Sequence, residues 1–282
     1  MLLKIRELTP KLGAEVLDLD LSHKLNKKVL EDIQQLFLKY QILYFGQQKL
    51  SSSAHVQFGQ QFGELQVHVM NQYHQSKYPE LYRLSNIGED GKANGIFPDQ
   101  GTHAWHTDAS WQERTGQATI IYCELAAQNG GNTLFCDMYG AYDRLPQEWK
   151  LKIEDKRANH SLHFSRNRRH GHQPMTNQQR HSTPVVNHPI VRTHPDTQKK
   201  AMFLGDHAES VLGVPYDTGR LWIDELNQLI VHDELTYEHR WKKGDLLVWD
   251  NRCLMHRVTS YDASKEGRII RRCTAIDPIK PY

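Results

Sequence analysis

"GDLLVWDNRCLMHR", residues 244–257, sets a short apolar run against a polar turn and then returns to apolar residues ahead of a histidine. Leu246 to Trp249 is too short for a helix and has the composition of a buried strand. Asp250, Asn251 and Arg252 are turn formers, and an extended segment resumes at Leu254. Similar short runs recur on both sides: "QILYFG" (41–46), "ELYRLSN" (80–86), "ATIIYCEL" (118–125) and "IIRRCTAI" (269–276). Helical periodicity is confined to a few places. Within 25–40, Val29, Leu30, Ile33, Leu36 and Phe37 share a face. "SSSAHVQFGQQFGEL" (51–65) opens on serine N-cap candidates, and "GRLWIDELNQLIV" (219–231) is amphipathic. These helices do not alternate with strands as βαβ units do, which argues against a doubly wound parallel sheet. The expected fold is mainly β with flanking helices, a sandwich or barrel core in one domain spanning 1–282.

Composition excludes several function classes. The chain is ordinary for a globular protein, with 38% hydrophobic and 24% charged residues. A net charge of +2 with neutral histidines gives no reason to expect nucleic acid or an acidic membrane as partner. Lys4, Arg6 and Glu7 interrupt the first apolar residues too early for a signal peptide, and no stretch is apolar for long enough to span a membrane. Cys123, Cys136, Cys253 and Cys273 are scattered in apolar runs, as buried free thiols of a cytoplasmic protein would be. "IGEDGKANGIFPDQG" (87–101) reads as a loop. Residues 157–183, "RANHSLHFSRNRRHGHQPMTNQQRHST", are polar, rich in His and Arg, and without periodicity; they read as a solvated insertion that could serve as a lid.

The unusual feature is 17 histidines. "AWHTDAS" (104–110) places His106 and Asp108 two apart, and on a strand both would face one side and could reach one ion. Chance alone gives about two His-x-Asp/Glu pairs in such a composition. The chain holds four: His106/Asp108, His194/Asp196, His207/Glu209 and His232/Glu234. "THPDT" reads as a turn, "VHDEL" as a helix end, and "DHAES" has no strand pattern around it. Only "AWHTDASW" follows a long loop and sits among aromatic residues, as a pocket rim would. A third ligand should come from distant sequence, and His256 is the best candidate. Two imidazoles and a carboxylate that leave positions open suit Fe(II) in oxygenases. Zinc hydrolysis is conceivable with the same set, whereas calcium prefers all-oxygen shells.

The sequence resembles the taurine dioxygenase / phenoxyacetate-herbicide dioxygenase family of Fe(II)- and 2-oxoglutarate-dependent enzymes. The resemblance runs nearly end to end, through "LGAEVLDLDLS", "FGQQFGEL", "WHTDASW", "GGNTLFCDMYGAYDRLP", "HPIVRTHP", "WDNRCLMHR" and "RIIRRCTAIDP". "NTLFCDMYGAYDRLP" and "FLGDHAESVLGVP" are more similar to the herbicide-dioxygenase branch than to the taurine branch. The resemblance implies a double-stranded β-helix (a cupin-like jelly roll) with His106, Asp108 and His256 as iron ligands. It implies Thr133 and Arg268 on the distal carboxylate of 2-oxoglutarate, with Arg272 and His68 on the anionic head of the primary substrate. Arg268 and Arg272 lie four apart, so on a strand both would enter one cavity, and a planar guanidinium grips a carboxylate bidentately. The gap from His256 to Arg268 is slightly longer than in the family, which places a small insertion in "SYDASKEG". "GTHAWH" and "HVMN" lack the residues with which the taurine branch holds its amine, so taurine itself is not expected.

The implied activity is hydroxylation of a small organic anion, a carboxylate or sulfonate and conceivably an aryloxyalkanoate, with Fe(II), 2-oxoglutarate and O2 as cofactors and succinate and CO2 as products. A homo-oligomer, dimer or tetramer, is the expected assembly. Two rivals use the same fold: a zinc hydrolase, which would have no need of Arg268 and Thr133, and a non-catalytic anion-binding protein, which would have no need of an open metal site.

Overall fold

A computed structural model describes residues 3–170 and 175–282. In chain order, β1 (Ile5–Glu7) and β2 (Ala14–Val16) precede α1 (Lys27–Tyr40), β3 (Ile42–Phe45) and α2 (Ser52–Gly59). β4 (His74–Gln75), β5 (Tyr78–Ser85), β6 (Gly116–Leu125) and β7 (Thr133–Asp137) lead to α3 (Met138–Arg144) and α4 (Gln147–Ile153). β8 (Arg157–His160), α5 (Leu162–His170) and α6 (Asn177–His181) follow, then β9 (Val186–Pro189), β10 (Val191–Thr193), β11 (Lys200–Met202) and β12 (Ala208–Val211). The chain closes with α7 (Tyr216–Leu229), β13 (Thr236–His239), β14 (Leu246–Asp250), β15 (Leu254–Val258) and β16 (Ile269–Ile276).

Among the described residues the largest sheet has eight strands in the order β1-β2-β3-β14-β6-β16-β5-β4. That sheet is antiparallel except for the parallel pair β2–β3, and the smaller sheets β13-β7-β15 and β12-β8-β9 are antiparallel. The run that opened the sequence reading shows why the large sheet sits in the middle. On β14, Leu246 and Val248 join one apolar cluster while Leu247 and Trp249 join another, so side chains alternate between two cores. The first core lies beneath α1 and α2, where Ile33, Phe37, Val56 and Phe58 meet Leu43, Phe45, Ile120 and Cys273. The second lies inside the sandwich, where Ile121, Cys123, Trp249 and Ile270 meet Phe135, Met202, Leu204 and Met255. Strands buried on both faces are apolar throughout, which is why they read as continuous runs rather than alternating ones. α1 starts where Asn26 caps Val29 N–H at 2.9 Å, and α2 where Ser51 caps Ala54 N–H at 3.1 Å.

Two sequence expectations are corrected here. Residues 157–183 are not devoid of regular structure: β8, α5 and α6 occupy them, and Ala158, His160, Leu162 and Ser165 are buried. α5 carries one large apolar anchor, Leu162, packed with Trp111 and Met175; its other inward residues are polar, so no hydrophobic period announces it. Residues 171–174 of that insertion lie outside the described residues. The second correction concerns His106 and Asp108, which do not share a strand. His106 forms an isolated bridge to His256, and the chain turns immediately at Asp108.

Candidate metal centre and anion sites

The histidine pair is set by backbone pairing. His106 N–H donates to His256 O at 3.0 Å and His256 N–H to His106 O at 2.9 Å, which brings the ring centroids to 4.2 Å. His106 Nδ1 donates to the Ala104 carbonyl at 2.8 Å, fixing the tautomer and leaving Nε2 as a lone-pair donor. Asp108 arrives by the turn, and Ala109 behind it is held at φ 56°, a left-handed conformation uncommon for a residue with a side chain. His106 Nε2 stands 3.8 Å from Asp108 Oδ1 and His256 Nε2 3.7 Å from Oδ2, too far for hydrogen bonds. These separations leave room for a cation about 2 Å from each donor.

The surroundings fix the charge state of the triad. Burial lowers the pKa of both His106 and His256, so both are neutral imidazoles, the form that ligates a metal. Burial by itself would raise Asp108, but the Arg272 guanidinium and the Thr119 hydroxyl hold it below the usual carboxylate range. Thr119 Oγ1 donates to Asp108 Oδ2 at 2.7 Å and accepts from Asn251 Nδ2 at 2.9 Å. Trp249 Nε1 donates to Asn251 Oδ1 at 3.1 Å, so the turn after β14 orients the carboxylate through β6. Sequence reasoning missed Thr119 and Asn251, because a threonine within a strand and an asparagine within a turn look ordinary until tertiary contact gives them partners.

Arg272 projects from β16 into the same place. Its Nη1 donates to Asp108 Oδ1 at 2.9 Å, and its guanidinium lies over the Tyr82 ring at 4.8 Å. His68 stands beside it with its ring 4.9 Å from Tyr82 and 5.4 Å from Trp111, and its Nδ1 accepts from Met70 N–H at 3.1 Å. Desolvation, followed by the Arg272 charge, takes its pKa down to about 3, so His68 is neutral and offers Nε2–H as a donor. His68, Arg272, His106 and Asp108 line one cavity, roofed by α5. His207, on the turn before β12, also lines it, with its Nδ1 3.0 Å from Ser110 Oγ. His207 belongs to one of the four pairs, in a stretch whose sequence carries no strand pattern. The cavity measures about 50 Å³, room for a few waters at roughly 10–15 Å³ each.

Thr133 and Arg268 do not line that cavity; they lie towards the sandwich interior. Thr133 shares a face of β7 with Phe135, whose ring stacks 6.1 Å from His256, and Thr133 Oγ1 accepts from Trp241 Nε1 at 3.0 Å. Arg268 Nε donates to the Gly131 carbonyl at 3.1 Å, two residues before Thr133. The backbone of Arg268 is delivered by the loop 260–267, which Asn86 pins through the Ala263 and Glu266 carbonyls while accepting Arg268 N–H at 2.7 Å. Ile270, Arg272 and Thr274 share the inner face of β16, and Arg268 immediately precedes that strand. Arg271 points to the other face, where it bonds Ser52 and the Leu50 carbonyl. Arg268 is 4% exposed, and no carboxylate among the described residues lies within ion-pair distance of it. A buried guanidinium without a counter-charge is costly unless an anion arrives to pair with it.

A second cluster, His194, Asp250 and Cys253, has ligand atoms as close together as the first. Its carboxylate is already satisfied: Arg252 donates to both Asp250 oxygens, at 2.9 and 2.7 Å, and His194 Nε2 lies 3.0 Å from Oδ2. Burial pushes the Cys253 thiol well up, away from the thiolate a metal needs. That cluster braces the β14–β15 turn.

The profile of the Taurine catabolism dioxygenase TauD, TfdA family matches residues 4–274. The chain belongs to this family. It is 35% identical over 280 residues to the alpha-ketoglutarate-dependent 2,4-dichlorophenoxyacetate dioxygenase of Cupriavidus pinatubonensis, covering 96% of each chain. It is 30% identical to the (S)-phenoxypropionate/alpha-ketoglutarate-dioxygenase of Sphingobium herbicidovorans, over 88% of this chain and 86% of the other. Among solved structures, that of AAD-2 in complex with Mn(II) and N-oxalylglycine superposes with a TM-score of 0.88 at 31% identity, covering 100% of this chain and 99% of the other. The TauD/TfdA chain thus has the cupin-like jelly roll and the herbicide-branch likeness expected from its sequence blocks. No helix among its described residues is long and apolar enough to cross a membrane.

Proposed function

We propose that this TauD/TfdA-family chain, acting as one domain, is an Fe(II)- and 2-oxoglutarate-dependent dioxygenase that hydroxylates a small organic anion. The observation that carries the reading is Arg268, buried without a counter-charge just before β16, the strand whose Arg272 reaches the His106–Asp108–His256 cluster. His106, Asp108 and His256 would hold the metal: two neutral nitrogens and one carboxylate, all buried, suit Fe(II). With Fe(II), 2-oxoglutarate and O2 bound, the centre supplies oxidative decarboxylation to succinate and CO2, one oxygen atom entering succinate and the other the hydroxylated product.

The protein contributes position. Arg268 pairs with the distal carboxylate of 2-oxoglutarate and Thr133 adds a hydroxyl to it, holding the co-substrate inside the sandwich. Arg272 spends one N–H on Asp108 and keeps its other donors for the substrate's carboxylate or sulfonate, which His68 Nε2–H also meets. Tyr82, Trp111 and Leu162 supply apolar wall beside that anion site. We read α5 as a lid, because its Leu162, Ser165, Arg166 and Arg169 line the same cavity as His106, Asp108 and Arg272. A zinc hydrolase on the same ligands would leave Arg268 with nothing to bind. The reading further takes the chain as a cytoplasmic homo-oligomer; its four buried, unpaired cysteines support a reducing compartment.

The test is a panel of organic acids, aryloxyalkanoates and alkylsulfonates among them, incubated with Fe(II), ascorbate and 2-oxoglutarate, with succinate release as readout and the His106→Ala variant as blank. Anion-dependent succinate above the blank is expected. Release no greater than the blank across the panel refutes the reading.

A further inference from the structure

Arg169, in the last turn of α5, spans two separate turns that flank the first proposed metal ligand. Its Nη1 donates to the Gly101 carbonyl, and its guanidinium pairs with the Asp206 carboxylate. The Asp99 carboxylate adds attraction from the Gly101 side. The seat exists because residue 101 lacks a side chain: a Cβ there would stand 2.6 Å from Arg169 Nη1 and 2.9 Å from Asp99 Oδ1. Gly101 lies on the short turn that runs directly into His106. Asp206 grips the same segment from the other side, since its N–H donates to the Trp105 carbonyl at 3.0 Å. Gly205 beside it packs so closely that a Cβ would stand 3.2 Å from His106 Cα. One side chain therefore joins the roof of the cavity to both supports of the His106 backbone.

We propose that Arg169 is a positioning residue, a clasp that couples the seating of α5 to the geometry of the metal centre. The proposal rests on the reading of that centre given above. When His106 is drawn into coordination, the segment 101–106 and the turn at 205–206 are fixed, and with them both halves of the seat for Arg169, so α5 is held more firmly. By linkage, a firmly seated α5 must in turn favour the coordinating position of His106. An arginine serves here because a planar fork can reach a carbonyl and a carboxylate at once, whereas a lysine offers a single charged point.

The experiment measures hydrogen–deuterium exchange of the α5 amides, 165–169, with and without Mn(II), in the wild type and in Arg169→Gln, with Mn(II) affinity followed by electron paramagnetic resonance. Wild-type exchange at 165–169 is expected to slow about tenfold on adding Mn(II). In Arg169→Gln that slowing is lost and Mn(II) binding weakens by a similar factor, although residue 169 is not a ligand. Arg169→Lys should restore part of both effects, and Asp206→Asn should reproduce the loss should Arg169→Gln fold poorly. Exchange at 165–169 that ignores Mn(II) in the wild type, or that still responds fully in the folded variants, overturns the proposal. Weakened Mn(II) binding accompanied by faster exchange throughout β14 would show a general structural role and overturn it too. Wild-type protein that binds no Mn(II) would overturn the metal-centre reading itself, an outcome distinct from the other two.

Discussion

Replacing Arg268 with methionine should make the ligand-free protein more stable and the enzyme worse. Arg268 is 4% exposed, and its one hydrogen bond through the side chain is from Nε to the Gly131 carbonyl at 3.1 Å. Burial lowers its pKa, and the only groups opposing that shift are Tyr261 and Cys123, neither of them an anion at neutral pH. An unpaired buried charge costs several kcal/mol, while losing the Gly131 bond costs about 1 kcal/mol. A methionine of similar length removes the first and forfeits the second, for a net gain of about 1–3 kcal/mol. Each kcal/mol is worth about 2–4 °C in a chain somewhat smaller than this one, so Tm should rise by several degrees. Affinity for 2-oxoglutarate should fall, because a bidentate charge-assisted pair worth about 3–4 kcal/mol disappears, roughly 10²–10³-fold in Kd. Thermal unfolding of the ligand-free protein gives the first quantity. Calorimetric titration of 2-oxoglutarate into the Mn(II)-loaded protein gives the second without turnover. A lower Tm in Arg268→Met, or an unchanged affinity, would show that Arg268 has a satisfied structural role and would refute the argument from its missing counter-charge.

Thr119→Val keeps the shape of the side chain but removes the 2.7 Å donor to Asp108 Oδ2; metal affinity should drop about 10- to 100-fold with the fold retained, measured by Mn(II) titration and circular dichroism. Gly205→Ala meets two obstacles, a left-handed φ of 98° and a Cβ 3.0 Å from the Trp105 carbonyl; it should cost on the order of 1–3 kcal/mol in urea unfolding and displace His106 enough to weaken Mn(II) binding. His55, fully buried on the inner side of α2, has its pKa brought down to about 3, first by burial and then by Arg271. Below about pH 6.5 the unfolded chain takes up a proton that the folded chain refuses, so stability falls with falling pH by about 1.4 kcal/mol per unit from this one residue. His55→Gln retains a donor for the Ile120 carbonyl and should flatten the stability–pH slope between pH 6 and 4 by about that amount; an unchanged slope in urea titrations would contradict it.

The strands were legible from short runs rich in apolar residues: "DLLVWD" matches β14 to within a residue because both of its faces are buried, and "IIRRCTAI" matches β16 although two arginines and a threonine interrupt it. α1 and α7 were legible because each covers a sheet or core with one apolar stripe, and α2 because a serine run supplies its N-cap. α5 was not, because the face it presents to the cavity carries Ser165, Arg166 and Arg169 as well as Leu162, and hydrophobic periodicity is blind to a helix whose inner surface is polar.

The site divides along the same line. The sequence by itself determined which residue types were present in which order: His106 and Asp108 close together, His256 after an apolar strand, and two arginines at the same-face spacing of a strand. Local context singled out His106/Asp108 among the four His-x-Asp/Glu pairs, but it could not predict that the two would meet through a bridge and a left-handed turn instead of along one strand. Those outcomes depend on contacts between residues far apart in the chain, such as the reciprocal hydrogen bonds of His106 and His256 or the reach of Thr119 and Asn251 to Asp108. "GDLLVWDNRCLMHR" could announce a strand and a turn from its own composition. Only folding placed its Asn251 and His256 on either side of Asp108, because burial and pairing energies belong to the assembled sheets and to no single segment.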